Sequence, residues 1–283
     1  MAVEMPKSTA HWDGVAIEAE NERSSVKADK WRKIARNWLA HYTENKSIDF
    51  VFSAIEKYVK LKSNAQILDV GCGPGKWVRL FAERGFVTTG IDSSPWMIRL
   101  AKKNTGRGTL KPVSYYVMNA AELDLPVDFY DMVNCVTVLQ HILDDDNWRR
   151  AIHNMVKVTK PHGYILIFEA APSLVLKKST RHLRFRTMRQ YTDEFRKAGA
   201  NLTYWRATDL SFPITFIGLQ KYASSFNRKV YYYFADRFSL LSPSFLSVLS
   251  NITATLAGLV DYRLGETPLR LLSVGRILLF RKV

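Results

Sequence analysis

The chain of 283 residues has few cysteines and few acidic side chains. Its two cysteines, Cys72 and Cys135, stand in contexts typical of small core residues, so we expect a reducing compartment such as the cytoplasm. The first residues, MAVEMPKSTAHWDG, contain no apolar run, which argues against a secretory signal peptide. No internal repeat or low-complexity tract interrupts the chain. We therefore expect one globular core with additions.

Long runs of purely apolar residues are also absent. The longest uncharged stretch, 238–260, has 23 residues, a length that could span a membrane. It contains a proline, an asparagine, five serines and two threonines, and its large apolar residues fall on one helical face. This pattern predicts an amphipathic helix that packs within the protein. Peripheral contact with a membrane surface or with a lipid-like substrate is the alternative.

The most informative segment is ILDVGCGPG, residues 67–75. Its first residues suit a buried strand, whereas Gly71, Gly73 and Gly75 can adopt positive φ and leave backbone N–H groups uncovered for a ligand. The next residues, KWVRLFAERG, carry an apolar helical stripe, so the turn opens onto a helix N-terminus. The segment therefore predicts a ligand-binding turn between a strand and a helix.

Two nucleotide-binding fingerprints are incomplete at this turn. The third glycine of a dinucleotide motif would fall at Lys76, when counted from Gly71 and Gly73. A P-loop requires Ser or Thr after the lysine, but Trp77 follows. Asp92 ends the next predicted strand, at a distance suited to bonding a ribose diol. These observations disfavour NAD and ATP and favour another ligand that contains a nucleoside.

Five segments together resemble the class I S-adenosylmethionine-dependent methyltransferases of the broad small-molecule group: ILDVGCGPG, GIDSS, MNAAELDLP, FYDMVNCVTVLQHI and PHGYILIFE. The resemblance covers about residues 60 to 206, roughly half of the chain. It implies S-adenosylmethionine as the cofactor, with no metal. It also implies twelve cofactor-binding residues: Asp69, Gly71, Cys72, Gly73, Gly75, Asp92, Ser93, Met97, Asn119, Ala120, Thr137 and Val138.

The resemblance also assigns these residues to parts of the cofactor. Asp69 and the glycine turn would hold the methionine end, Asp92 the ribose hydroxyls, and Ser93 and Met97 the adenine. Asn119 departs from the family, which usually has Asp at this position. An asparagine can accept a hydrogen bond from the adenine amino group, but it brings no charge.

The pattern from residue 65 onward alternates strands and helices, which is typical of a largely parallel sheet with helices on both faces. The predicted strands are QILDV, VTTGID, VSYYVMNA, DMVNCV, GYILIFEA, LTYWRAT and VGRILLFRK. The resemblance implies an α/β, Rossmann-like doubly wound sheet whose last strand is antiparallel. We predict an N-terminal helical lid over 1–60, a cofactor-binding core over 61–208 and 274–283, and a helical cap over 209–273.

Positive charge is concentrated in the C-terminal part of the chain. Residues 171–283 contain 18 basic and 6 acidic side chains, which accounts for most of the net charge of +15. Because the basic segment 177–197 follows the fifth predicted strand, Arg181 and Arg184 are candidates for binding an anionic substrate. A solvated basic face is the plain alternative. RNA binding is another, although no RNA-binding motif is present.

Candidates for catalysis and acceptor binding follow from their places in the pattern. His141 lies just past the fourth strand and is the best candidate if a general base is needed; bonding its own loop is the alternative. Glu169 ends the fifth strand and either orients an acceptor or serves a structural role. Trp12 is a candidate for closing the substrate pocket, and Tyr191 either contacts substrate or packs in the core.

The main hypothesis is methyl transfer to a small or lipid-linked acceptor at oxygen, nitrogen or carbon. An RNA methyltransferase that uses segment 177–197 is a second hypothesis. A non-catalytic protein that binds S-adenosylmethionine is a third.

Overall fold

The computed structural model describes residues 47–106, 112–173, 182–208, 267, 270–271 and 273–283. Its strands are β1 Gln66–Val70, β2 Val87–Asp92, β3 Val113–Val117, β4 Tyr130–Val136, β5 Thr159–Ala170, β6 Ala200–Ala207 and β7 Gly275–Lys282. Its helices of more than one turn are α1 over 47–58, α2 Lys76–Glu83, α3 Pro95–Thr105, α4 Asp145–Val158 and α5 Met188–Lys197. Single 3₁₀ turns cover Ala120–Glu122 and Leu139–His141.

The strands form one sheet in the order β3-β2-β1-β4-β5-β7-β6. The five strands from β3 to β5 pair in parallel, and β7 runs antiparallel to both β5 and β6. The predicted Rossmann-like sheet with an antiparallel last strand is thereby confirmed. Each of the seven predicted strands overlaps an observed one.

Apolar side chains on the two faces of the sheet pack against different helices. On one face, α1 and α2 contribute Phe50 and Phe81 to a cluster with Leu166 of β5. On the other face, Trp148 of α4 and Phe195 of α5 belong to a cluster that contains residues of β1, β4 and β5. Because its strands are buried on both faces, the sheet reads in sequence as short continuous apolar runs.

The strand β5 begins at Thr159, before the predicted GYILIFEA segment. Thr159 pairs with Tyr130, and the register shifts before Met132 pairs with Tyr164. The backbone also takes a positive φ of 62° at His162. This irregularity lets the residues before Gly163 join the sheet although they break the apolar pattern.

The predicted lid and cap fall mostly outside the described residues. Of the lid, residues 47–58 form α1, which packs against the sheet. Nearly all of the predicted cap over 209–273, including the uncharged stretch 238–260, lies outside the described ranges, as do Trp12 and Arg181. Within the described residues no helix has the length and apolarity to cross a membrane.

Candidate active site

A cavity of about 520 Å³ opens at the carboxyl ends of β1, β2 and β4. Ligands of open α/β sheets bind at this edge, and the volume suits a drug-sized molecule. Ten of the twelve predicted cofactor residues line it: Gly71, Cys72, Gly73, Asp92, Ser93, Met97, Asn119, Ala120, Thr137 and Val138. Asp69 and Gly75 are not among the lining residues.

The glycine turn needs its glycines for two different reasons. Gly71, Gly73 and Gly75 all have positive φ, at 68°, 50° and 78°. A Cβ on Gly71 would lie 2.3 Å from Cγ2 of Val138, so the turn packs directly on the chain that follows β4. A Cβ on Gly73 would meet no heavy atom of the described residues within 4 Å. Gly73 therefore presents bare backbone to the cavity.

Asp92 fixes the shape of the turn with its carboxylate. Its Oδ2 accepts from the backbone N–H of Gly73 at 2.9 Å, and its Oδ1 accepts from that of Ser94 at 2.9 Å. Ser94 in turn caps α3, because its Oγ accepts from the N–H of Met97 at 3.1 Å. Asp92 thus joins the glycine turn to the start of α3 at the wall of the cavity.

Asp69 lies beneath the cavity and is only 2% exposed. The side-chain amide of Asn134 donates to its Oδ1 at 2.7 Å, and its Oδ2 has no hydrogen-bond partner among the described residues. Burial raises the pKa of Asp69 to about 7; the Asn134 bond opposes this effect and the charge of Asp92 adds to it. A cationic ligand group bound at the turn would stabilise the ionised form.

Asn119 has a local structural role as well as its place on the cavity wall. Its Oδ1 accepts from the backbone N–H of Ala121 at 3.0 Å and caps the 3₁₀ turn Ala120–Glu122. An asparagine caps a helix about as well as the aspartate that the family usually has. The departure therefore preserves the local backbone and removes a charge.

His141 lies on the wall of the cavity, on the 3₁₀ turn that follows β4. Its Nδ1 is 3.0 Å from the carbonyl oxygen of His182. A carbonyl can only accept, so Nδ1 carries the proton in this contact and the lone pair of the neutral ring is on Nε2. The His141 ring thus bonds the backbone of a neighbouring segment, and the residue also lines the cavity.

Two other predicted residues are buried away from the cavity. Glu169 is 1% exposed, and its carboxylate accepts from the backbone N–H groups of residues 138 to 140. These contacts fit the structural alternative and not direct contact with an acceptor. Tyr191 is fully buried and packs edge-on against Trp148, with ring centroids 5.5 Å apart. The interpretation of Tyr191 as a substrate contact is thereby replaced by core packing.

Arg184 already has an acidic partner. Its guanidinium forms an ion pair with Asp145 and donates to the carbonyl of Leu143 at 3.0 Å. Asp145 is also paired with Arg186 at 2.9 Å. Of the two residues of the predicted anion site, Arg181 lies outside the described residues, and Arg184 is already paired with a carboxylate.

Several cavity residues were not predicted from the sequence. They are Pro74, Lys76, Trp77, Ile91, Met118, Val136, Ile142, Leu143, Asp144 and Asn147. Most of them adjoin a predicted site residue in the chain. Leu143, Asp144 and Asn147 follow His141 and lead into α4, so their nearness to the carboxyl end of β4 was the available signal.

Comparison with known proteins agrees with this geometry. Residues 67–163 match the family described as a methyltransferase domain. This part of the chain is therefore similar to a methyltransferase domain. A ubiquinone biosynthesis O-methyltransferase from Rickettsia typhi is 31% identical over 146 residues, which are 49% of this chain and 57% of that relative. The chain thus spans little more than half the length of this curated relative.

Solved structures share the fold at low sequence identity. The cyclase SpnF has a TM-score of 0.55 and 19% identity, covering 85% of this chain and 80% of its own. A Haemonchus contortus phosphoethanolamine N-methyltransferase, in complex with S-adenosylhomocysteine, has a TM-score of 0.53 and 18% identity. That match covers 82% of this chain and 51% of the other. At such identities the likeness concerns the fold alone.

The residues of the cavity fit S-adenosylmethionine, the cofactor that the sequence resemblance implies. A Cβ on Gly73 would meet no heavy atom of the described residues within 4 Å, so the backbone there is open to a ligand, and the Asp92 carboxylate lines the same cavity. The buried Oδ2 of Asp69 lies beneath the turn without a partner among the described residues. No cluster of three or more potential metal ligands occurs in the described part of the chain.

Proposed function

We propose that this protein transfers the methyl group of S-adenosylmethionine to an oxygen of a small-molecule or lipid-linked acceptor. The observation that carries the proposal is the cavity in which the glycine turn, Asp92 and His141 face one space. The relative from Rickettsia is named an O-methyltransferase, which supports oxygen over nitrogen or carbon. Because that match covers only part of each chain, the acceptor itself is part of the proposal.

The cofactor residues have divided roles in this proposal. The glycine turn and Asp69 hold the methionine end, Asp92 holds the ribose, and Asn119 and Ala120 meet the adenine edge. Thr137 and Val138 line the side of the cavity next to His141. When bound, S-adenosylmethionine supplies an electrophilic methyl group on a sulfonium sulfur.

The remaining task of the protein is to orient the acceptor and to handle its proton. His141 is suited to the second part, because a neutral imidazole whose Nδ1 donates to the His182 carbonyl has its lone pair on Nε2. An acceptor hydroxyl within hydrogen-bond distance of Nε2 would transfer its proton there as the oxygen–methyl bond forms and the sulfur–methyl bond breaks, which would leave S-adenosylhomocysteine as the second product. Trp77, Ile142 and Leu143 give the cavity apolar walls that limit the access of water.

The proposal predicts where a labelled methyl group should go. The full chain is incubated with methyl-labelled S-adenosylmethionine and a fractionated cell extract. Label in a small-molecule or lipid fraction, released by chemistry that cleaves methyl ethers or esters, supports the proposal. Label in RNA supports the second hypothesis instead. Cofactor binding without any label supports the non-catalytic protein.

The described part of the basic segment does not favour the RNA hypothesis. Arg189 and Arg196 both pair with Asp193, and Lys197 pairs with Glu194. Phosphate binding would have to compete with these carboxylates. The basic segment therefore enters the proposed function only as an outcome of the labelling experiment.

A further inference from the structure

The chain between β4 and α4 forms one wall of the cavity in an unfavourable backbone conformation. Thr137, which directly follows β4, has a φ of 56° and lines the cavity. A β-branched residue at positive φ is a genuine outlier and persists only where its surroundings hold it. The next four residues contribute Val138, which packs on Gly71, and the 3₁₀ turn that carries His141.

A buried acid binds the amino end of this 3₁₀ turn. The Oε1 of Glu169 accepts from the backbone N–H groups of Val138 and Leu139, each at 2.7 Å. Its Oε2 accepts from that of Gln140 at 3.3 Å. One carboxylate therefore meets the N–H groups that a helix leaves unsatisfied at its start, where negative charge is favoured.

A buried arginine donates hydrogen bonds to carbonyl groups in and just after the same turn. Arg186 is 1% exposed and donates to the carbonyl oxygens of Leu139 and Ile142, at 3.3 Å and 2.9 Å. Its guanidinium also pairs with Asp145 and stacks over the ring of Trp148 at 4.5 Å. The two charged side chains thus bind opposite groups of one short backbone segment: the Glu169 carboxylate accepts from its N–H groups, and the Arg186 guanidinium donates to its carbonyl oxygens.

We propose that Glu169 and Arg186 are positioning residues, which hold residues 137–142 in the strained shape that cofactor binding requires. The effect reaches the cofactor through contacts already described. Val138 packs on Gly71 of the glycine turn, and His141 faces the cavity. The inference rests on the proposed function only in taking S-adenosylmethionine and its product as ligands of the cavity.

The burial of the carboxylate points the same way. Burial raises the pKa of Glu169 to about 7, although three backbone hydrogen bonds and Arg186 oppose the shift. A buried negative charge at this position therefore costs folding stability, which suggests that it is kept for another reason. A strained threonine and a buried carboxylate side by side are typical of a segment shaped for binding.

The test is a double-mutant cycle on affinity for S-adenosylhomocysteine, measured by calorimetry on the full chain. Glu169→Gln removes the charge and one acceptor and is expected to weaken binding at least tenfold. Thr137→Gly removes the steric cost of positive φ at this position, so the shape of the segment should depend less on the contacts made by Glu169 and Arg186. The same Glu169→Gln change should therefore cost no more than about threefold in the Thr137→Gly background.

The matched control is Glu194→Gln. Glu194 is also nearly buried and bonded, to His153 and Lys197, but it lies on α5 away from the cavity. Its substitution is expected to leave affinity within twofold of wild type. A general loss of structure would affect both glutamine variants, whereas positioning affects only Glu169→Gln.

Three results are decisive. Equal affinity of wild type and Glu169→Gln would overturn the inference, and so would equal losses in both Thr137 backgrounds. Failure of wild type itself to bind S-adenosylhomocysteine would instead overturn the proposed function. If Glu169→Gln does not fold, Arg186→Gln removes the opposite charge and is put through the same cycle, with the same outcomes.

Discussion

The sharpest prediction compares two glycines that share a backbone conformation but not a position. Gly73 has a φ of 50° and lines the cavity, whereas Gly85 has a φ of 86° just beyond the end of α2. A Cβ on either one would meet no heavy atom of the described residues within 4 Å. Gly73→Ala and Gly85→Ala therefore place the same methyl group in open space, once inside the candidate site and once outside it.

Stability should respond in the same way to both substitutions. An alanine at positive φ costs about 1 kcal/mol, sometimes 2, because its Cβ approaches the following carbonyl oxygen. A cost of about 1 kcal/mol lowers the melting temperature of a chain of this size by about 2–4 °C. Neither variant gains a clash with the described residues that would add to this cost.

Cofactor affinity should respond to only one of them. If the bound cofactor packs against Gly73, an added methyl group there costs about 1–3 kcal/mol of binding free energy. This cost corresponds to a dissociation constant that is roughly 5- to 150-fold larger. Gly73→Ala should therefore bind S-adenosylhomocysteine at least fivefold more weakly in calorimetry, while Gly85→Ala matches wild type. If both variants bind as wild type does, the cofactor does not lie against Gly73 and the assignment of the cavity is wrong.

Three further predictions concern charged and titratable groups. Asp92→Ala removes the acceptor that fixes Gly73 and should weaken S-adenosylmethionine binding at least tenfold in calorimetry, since hydrogen bonds to charged groups contribute about 1.5–3 kcal/mol each; unchanged affinity would refute its role. The pKa of Asp69 is raised from 3.8 to about 7 in the folded state. Between these two values the folded carboxyl is protonated while the unfolded one is ionised, so the stability of the wild type falls as the pH rises from about 4 to about 7. Asp69→Asn, which does not titrate, should gain about 2–3 kcal/mol relative to wild type between pH 5 and pH 8 in urea unfolding, and parallel pH profiles would contradict the buried carboxylate. His141→Gln should leave S-adenosylmethionine affinity unchanged and lower labelled product formation in extract about 10²-fold, as expected for a general base; full activity would leave His141 with its backbone contact alone.

The sheet was predictable because its strands are buried on both faces. Short apolar runs such as QILDV and GYILIFEA alternate with helical patterns, and this alternation leaves few architectures open. The early start of β5 was not predictable, since Pro161 and His162 break the apolar pattern before Gly163. Their place in the sheet depends on a register shift opposite Tyr130, which is a property of the paired strands.

The cavity residues around the glycine turn were predictable from local sequence, whereas the surroundings of Glu169 and Arg184 were not. Turn residues such as Gly73 act through their own backbone, so spacing along the chain suffices to identify them. Glu169 and Arg184 contact partners that lie 29 to 39 residues away in the chain. A basic segment looks like an anion site until the fold brings Asp145 to it.

The fold alone does not determine the reaction, because SpnF shares it and is named a cyclase. The most direct measurement is therefore calorimetric titration of the full chain with S-adenosylmethionine and S-adenosylhomocysteine. Saturable binding of both at one site per chain, weakened by Gly73→Ala and not by Gly85→Ala, is the predicted result. A folded protein that takes up neither ligand would contradict the central claim that this cavity is a methyltransferase cofactor site.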